Sequence, residues 1–326
     1  MCAVVAAGYQ RQWDASAALT APPAWAWLAI GLFLTVVGFT RNRKRRSLLV
    51  LAAWLGFAAF YVPEVHSLAR LAIPPRDEFF ERERSAGRAV RVVSLNCSTG
   101  DRRTVREVIA CGPDVVLLQE SPSREVLEEL AFDLFGGEGR VLWTADVSLV
   151  ARGRLDLRGP DEPAHFMQAT LEIPSGRQME IVSLRLAPPV VDYALWSGEC
   201  WTAHRRIREE HRREVAEVVL GLGEVPRDRS IIVGGDCNAG ADDGAVRQLR
   251  SRLRDSFGVA GRGWGNTVLN HLPVSRFDQI WVSDDCDVVT CRSARSEHSD
   301  HRLVICDVVL PTRATRAEST TGPSRR

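Results

Sequence analysis

The sequence predicts a layered α/β domain carried behind a two-helix transmembrane hairpin, on three observations. Two uncharged apolar runs near the N-terminus flank a tight basic cluster; from residue 89 onward β-branched runs alternate with helical stretches; and several of those runs end on Asn, Asp or Glu. A chain of 326 residues is long enough for one sizeable domain plus attachments. Its net charge of +1 argues against a partner gripped by bulk positive charge, such as duplex DNA held along its backbone, and leaves only a local basic patch open.

The hairpin comes first. "PPAWAWLAIGLFLTVVGFT" (22–40) holds no charge over a length close to the ~20 residues of a spanning helix, and "SLLVLAAWLGFAAFYV" (47–62) is a slightly shorter second run. Between them "RNRKRR" (41–46) carries five cations in six residues, with Trp25, Trp27 and Tyr61 near the ends as interfacial anchors. Either run alone also suits a buried core helix; two of them around a basic loop favour a multi-pass membrane protein. A cleaved signal peptide fits worse, because the basic cluster follows the first run and residues 1–21 supply only Arg11. The positive-inside bias places loop 41–46 in the cytoplasm and everything after residue 65 on the extracytoplasmic side.

Residues 1–64 therefore form the N-terminal segment and 65–89 a linker, broken by Pro74-Pro75. Residues 90–311 form one globular domain, and 312–326, small, polar and basic, a disordered tail. Inside the domain "AVRVVSLN" (89–96) reads as a strand stopped by Asn96, "RTVREVIACG" (103–112) as a helix with a glycine stop, and "PDVVLLQE" (113–120) as a strand ending in Glu120. Further strands follow at 178–187, at "RSIIVGGDCN", at "RFDQIWVSDD" (276–285) and at "HRLVICDVVL" (301–310). A long helix spans 203–223, its Arg and His interspersed with Glu as on a solvated face. Continuous apolar strands with few helices predict sheets buried against each other and under helices.

Asn96, Glu120, the pair Asp236 and Asn238, and Asp278 end or abut apolar runs, and "SEHSDH" (296–301) precedes the last strand. Alone, each reads as a turn or cap; together they sit where ligand sites of such folds gather.

The order of these pieces resembles the endonuclease/exonuclease/phosphatase superfamily. The residues that carry the likeness are "SLN", "PDVVLLQES", "GGDCN", "RFDQIWV" and "SDHRLV", spread over roughly 90–310. The resemblance implies a four-layered α/β sandwich of the deoxyribonuclease I type with phosphate-ester chemistry at one rim. It implies Glu120 and Asn96 as ligands of Mg²⁺ or Mn²⁺, which suit hard oxygen donors. It further implies Asp236 as the group that orients or deprotonates water, Asn238 as a donor to a phosphate oxygen, and His301 as a cation or donor aimed by Asp278. Asp300 would assist the metal or the leaving group.

One position departs from the family pattern. Where a histidine usually stands on the middle strand, "IVSLRLAPP" has Arg185, a permanent cation able to clamp phosphate and unable to pass a proton. Arg152 and Thr267 are candidate substrate contacts by position. Of eight cysteines, seven follow the hairpin, so an exported domain leaves one over, and Cys286 with Cys291 is the first pair to check for a bridge. The expected protein is a membrane-anchored, metal-dependent phosphoesterase acting on nucleic acid, a phospholipid or another small phosphodiester, with no obligate protein partner evident. The alternative is a phosphate-binding pseudoenzyme of the same fold.

Overall fold

In the computed structural model, which describes residues 1–40, 44–158, 165–226 and 228–311, the apolar runs form twelve strands. In chain order they are β1 (Ala89–Asn96), β2 (Val115–Gln119), β3 (Gly139–Trp143), β4 (Val147–Arg152), β5 (Arg154–Arg158), β6 (Phe166–Glu172), β7 (Gln178–Arg185), β8 (Ser230–Asp236), β9 (Leu253–Asp255), β10 (Asp278–Ser283), β11 (Asp287–Ala294) and β12 (Leu303–Val309). The helices are α1 (Cys2–Arg11), α2 (Ala17–Thr20), α3 (Ala24–Thr40), α4 (Lys44–Tyr61), α5 (Pro63–Ala69), α6 (Asp77–Ser85), α7 (Arg102–Arg106), α8 (Arg124–Phe135), α9 (Gly198–Gly223) and α10 (Ser256–Ala260).

Two mixed sheets result, ordered β11-β12-β1-β2-β4-β3 and β5-β6-β7-β8-β10-β9. Val92, Leu117 and Leu149 of the first face Ile181, Ile232 and Ile280 of the second across the central core. The outer face of the first sheet, through Val93 and Leu95, is covered by Val105, Val108, Leu127 and Leu130. The outer face of the second, through Val182 and Val233, lies under Val215, Val218 and Leu222 of α9. Strands buried on both faces read as continuous apolar runs, which is why β1 and β8 lack alternation. Four layers, helix-sheet-sheet-helix, follow from these contacts.

Register decides what meets at the rim. β1 and β2 run parallel with Asn96 opposite Gln119, and β7 and β8 run parallel with Arg185 opposite Asp236. Antiparallel β10 sets Asp278 opposite Asp236. The C-terminal ends of β1, β2, β7 and β8 and the N-terminal ends of β10 and β12 therefore share one end of the sandwich. The two glycines of "GGD" fit the crowding there: Gly235 has φ +145°, and a Cβ on it would lie 1.9 Å from the Leu184 carbonyl oxygen.

The N-terminal segment departs from the expectation in several ways. α3 and α4 do pack as a hairpin, but α3 has 17 residues, about 25 Å at 1.5 Å per residue against a hydrocarbon core of about 30 Å. No single described helix is long and apolar enough to cross a membrane; two bent pairs, Asp14–Thr20 with Ala24–Thr40 (64°) and Lys44–Tyr61 with Pro63–Ala72 (77°), have the length and composition. Trp25 and Trp27, expected as interfacial anchors, are engaged with protein: the Trp25 indole donates to the Val274 carbonyl at 2.9 Å, and that of Trp27 to Leu19 at 3.0 Å. Residues 41–43 of the basic loop and the tail 312–326 lie outside the described residues.

The segment 65–89 is docked on the domain rather than spanning open space. Phe80 of α6 is buried against Ala89 and Val289, Arg84 pairs with Asp114 at 2.8 Å, and Arg70 donates to the Gly258 carbonyl at 2.7 Å. Nor is the polar face of α9 simply solvated: His204, Arg208 and His211 are buried. Arg208 reaches Asp243 (2.7 Å) and Thr20 (2.7 Å), so the helix's cations hold the N-terminal segment. All eight cysteines are free. Cys286 and Cys291 are not bridged; Cys291 stands opposite Cys306 on the neighbouring strand and accepts from the Ser256 hydroxyl at 3.4 Å.

Candidate active site

Every side chain at the rim is held by a strand end or by the turn just beyond it. Asn96 closes β1, and its side-chain NH₂ donates to Glu120 Oε1 (3.1 Å) and to Asp236 Oδ2 (3.1 Å), joining the two sheets. Its oxygen accepts from the Ser98 N–H at 2.9 Å. Glu120 follows β2 in the left-handed backbone region (φ 49°), its own N–H still bonded to the Asp146 carbonyl at 2.8 Å. That turn directs its carboxylate back over the rim, where Oε2 accepts from the Thr99 N–H at 2.8 Å.

Asp236, Asp278 and His301 form the buried centre, with ligand atoms all within 4.8 Å of one another. His301 Nδ1 meets Asp278 Oδ2 at 2.8 Å, and Asp236 accepts from the Asn238 N–H at 3.0 Å. Burial disfavours a charged His301, but the Asp278 carboxylate, by charge and hydrogen bond, followed by Asp236 and Asp300, outweighs it and raises the imidazole to about 10. Burial and then the charge of Asp278 push Asp236 up to about 6, against the opposing pull of His301, the Asn238 N–H and the Asn96 amide. Near neutral pH the centre therefore holds an imidazolium between two carboxylates, one of them close to titrating.

Asn238 is anchored at the rim: its side-chain NH₂ donates one hydrogen to the Leu186 carbonyl at 2.8 Å, and an amide NH₂ carries a second. Asp236 likewise has donors within the protein, the Asn96 side-chain NH₂ and the Asn238 N–H. Arg185 reaches the rim from β7 and bridges Asp146 Oδ1 (2.7 Å) and Glu120 Oε1 (2.9 Å). Asp300 is exposed and accepts from the Ser98 hydroxyl, outside the buried cluster.

Two expected substrate contacts lie elsewhere. β4 runs antiparallel to β2, so Arg152 falls beside Asp114, to whose carbonyl its N–H donates at 3.0 Å, and opposite Gly139 at the far rim, where it pairs with Glu138 at 2.6 Å. Thr267 is fully buried; its hydroxyl accepts from the Asp278 N–H at 3.2 Å and thus positions that carboxylate instead of facing solvent. Sequence reasoning missed Asp146, an acid in a turn with no motif around it. It also missed Ser299, whose hydroxyl donates to the Asn96 carbonyl at 2.8 Å and accepts from the His301 N–H at 3.0 Å, fixing His301 against β1.

A family model, the Endonuclease/Exonuclease/phosphatase family, matches residues 93–301, the stretch that holds all of these rim residues. The chain belongs to this family. Solved structures agree on the fold of this family. An endonuclease/exonuclease/phosphatase from Bacteroides vulgatus is 16% identical with a TM-score of 0.53, covering 68% of this chain and 99% of its own. The mannosyl-6-phosphatase Bt3783 of Bacteroides thetaiotaomicron VPI-5482 is 15% identical with a TM-score of 0.51, covering 68% and 100%. A functionally unknown conserved protein from Enterococcus faecalis V583 is 10% identical with a TM-score of 0.52, covering 67% and 99%. No curated protein matches the chain significantly by sequence. Phosphoesterases are thus among the family's members.

The donor set suits a hard divalent cation. Glu120 Oε2 takes a single N–H, leaving a lone pair, and Asp278 Oδ1 is buried with no partner among the described residues. Glu120 with Asn96 would hold Mg²⁺ or Mn²⁺, which would supply charge neutralisation at a phosphoryl oxygen.

Proposed function

We propose that the protein is a membrane-attached, divalent-metal-dependent phosphoesterase that cleaves a phosphodiester by in-line attack of water. The observation that carries this reading is the buried cluster of Asp236, Asp278 and His301, two carboxylates around one imidazolium, with Asp236 raised to about 6 and His301 to about 10. Asp236, displaced toward neutrality, takes the proton of the attacking water. His301, aimed by Asp278 through Nδ1, offers Nε2 and a positive charge to the phosphoryl oxygens as negative charge accumulates. Asn96 ties Asp236 to Glu120, so water and metal sides of the rim keep a fixed separation.

An exposed apolar face supports membrane attachment. Phe33, Leu34 and Val36 on α3 and Leu48, Leu49 and Phe60 on α4 all stand in solvent, with Phe60 84% exposed. The catalytic domain on the extracytoplasmic side, with 41–46 cytoplasmic, follows from the basic loop, and proximity to the bilayer makes a phospholipid or other membrane-proximal phosphodiester a better substrate candidate than nucleic acid. The other reading, phosphate binding without turnover, draws on Arg185 holding Glu120.

Hydrolysis of a generic phosphodiester and a phosphomonoester by the full chain, with Mg²⁺, Mn²⁺ or chelator, tests the proposal beside Asp236→Ala. Metal-dependent turnover lost in the variant is the expected result. A folded protein that binds Mn²⁺ and phosphate yet turns nothing over would replace the enzyme with the binding protein.

A further inference from the structure

Glu120 is the carboxylate that the proposed function assigns to the metal, and in this chain it is already held by a cation. Its Oε1 accepts from Asn96 (3.1 Å) and from the Arg185 guanidinium (2.9 Å), and its Oε2 from the Thr99 N–H (2.8 Å). The same guanidinium reaches Asp146 Oδ1 at 2.7 Å. Two carboxylates thus share one permanent positive charge at the mouth of the site.

We propose that Arg185 is a built-in counter-ion for Glu120, exchanged for the divalent ion when metal binds, with Asp146 as the tether that keeps the displaced guanidinium at the rim. This rests on the reading of Glu120 as the metal ligand.

Three features support exchange over a permanent structural bridge. An ion on Glu120 would stand next to a fixed guanidinium charge and be repelled by it, so the two cations compete for one carboxylate. The grip is incomplete: Arg185 Nε is buried with no acceptor among the described residues, so the position is set by two charges and not by a filled set of hydrogen bonds. And the side chain has a way out, being 25% exposed, with Asp146 at 34% offering a second, more open partner. Removing the arginine would leave Glu120 and Asp146 as two uncompensated carboxylates around one space, a stronger cation site than the wild type.

Mn²⁺ binding to the detergent-solubilised full chain, read from the signal of free Mn²⁺ by electron paramagnetic resonance, tests this without any turnover. The set is wild type, Arg185→Met, Arg185→Gln and Glu120→Gln, each checked for a cooperative thermal transition; the two Arg185 variants guard against one failing to fold. Arg185→Met or Arg185→Gln should bind Mn²⁺ at least tenfold more tightly than wild type, and Glu120→Gln should lose binding. Equal or weaker binding in the Arg185 variants, with Glu120→Gln still inactive in binding, overturns the counter-ion and leaves the metal reading intact. Binding indifferent to Glu120→Gln overturns both.

Discussion

On one side of the rim Glu120 and Asp146 share Arg185 at 2.9 and 2.7 Å, with a quarter to a third of each side chain open to water. On the other, Asp236, Asp278 and His301 crowd together at 2%, 0% and 9% exposure with no arginine among them. The first side balances its charges with a permanent cation and keeps solvent near. The second leaves the balance to protons, and burial makes those protons move: Asp236 rises to about 6 and His301 to about 10. The contrast teaches that a fixed cation gives a carboxylate a partner, whereas a titratable one in a dry place gives it a function.

The contrast is broken most severely at Asp278. Asp278→Asn should cut kcat by roughly 10²–10⁴-fold, the range for loss of a positioned acid–base group, and should lower the His301 titration seen by NMR, since Asp278 is what raises it. A His301 titration unmoved in Asp278→Asn would sink the assignment. Next comes pH. Activity should rise as pH passes about 6, where Asp236 loses its proton, and fall as pH passes about 10, where His301 loses its own; log kcat/KM against pH checks both limbs.

Stability follows the same groups. Both folded values lie above their ordinary ones, 3.8 for Asp236 and 6.5 for His301, so the folded state holds protons that the unfolded chain releases. Their contribution to stability is whole below the ordinary values and lost as pH climbs through about 6 and about 10. Denaturant midpoints of wild type and His301→Gln should therefore converge toward pH 10, and midpoints that diverge there refute the linkage. A smaller change is expected from Thr267→Val, which removes one acceptor from the Asp278 N–H and should cost about 1 kcal/mol by chemical denaturation. Arg152→Ala, at the far rim, should leave kcat and KM as they are; a tenfold change would put that arginine back among the substrate contacts.

Much of the site was legible because catalytic groups interrupt apolar strands. Asn96, Glu120 and Asp236 stand where a buried run stops and Asp278 and His301 where one begins, and the rim does bring them together. Strand direction is not written in a run, and that is why Arg152, also at a strand end, went to the wrong rim. Partners from distant segments were equally illegible: Asp146 gains meaning only once β7 delivers Arg185 beside it, and Arg208 only once residues 13–20 pack on α9. Nor does the sequence of β8 say why Gly235 is a glycine; the Leu184 carbonyl, 1.9 Å from where its Cβ would stand, comes from the neighbouring strand.

The N-terminal segment joins the domain through many short contacts: Trp25 of the hairpin to Val274 and, just before the hairpin, Trp13 and Thr20 to Arg208, Asp14 to Arg212 at 2.5 Å, and the Tyr9 carbonyl to Arg247 at 2.9 Å. Such an attachment is a bracket rather than a leash. Whatever surface receives the apolar face of α3 and α4 also sets the height and tilt of the rim above it, so a phosphate group's depth and presentation would decide whether it can be reached, before any chemistry distinguishes one ester from another.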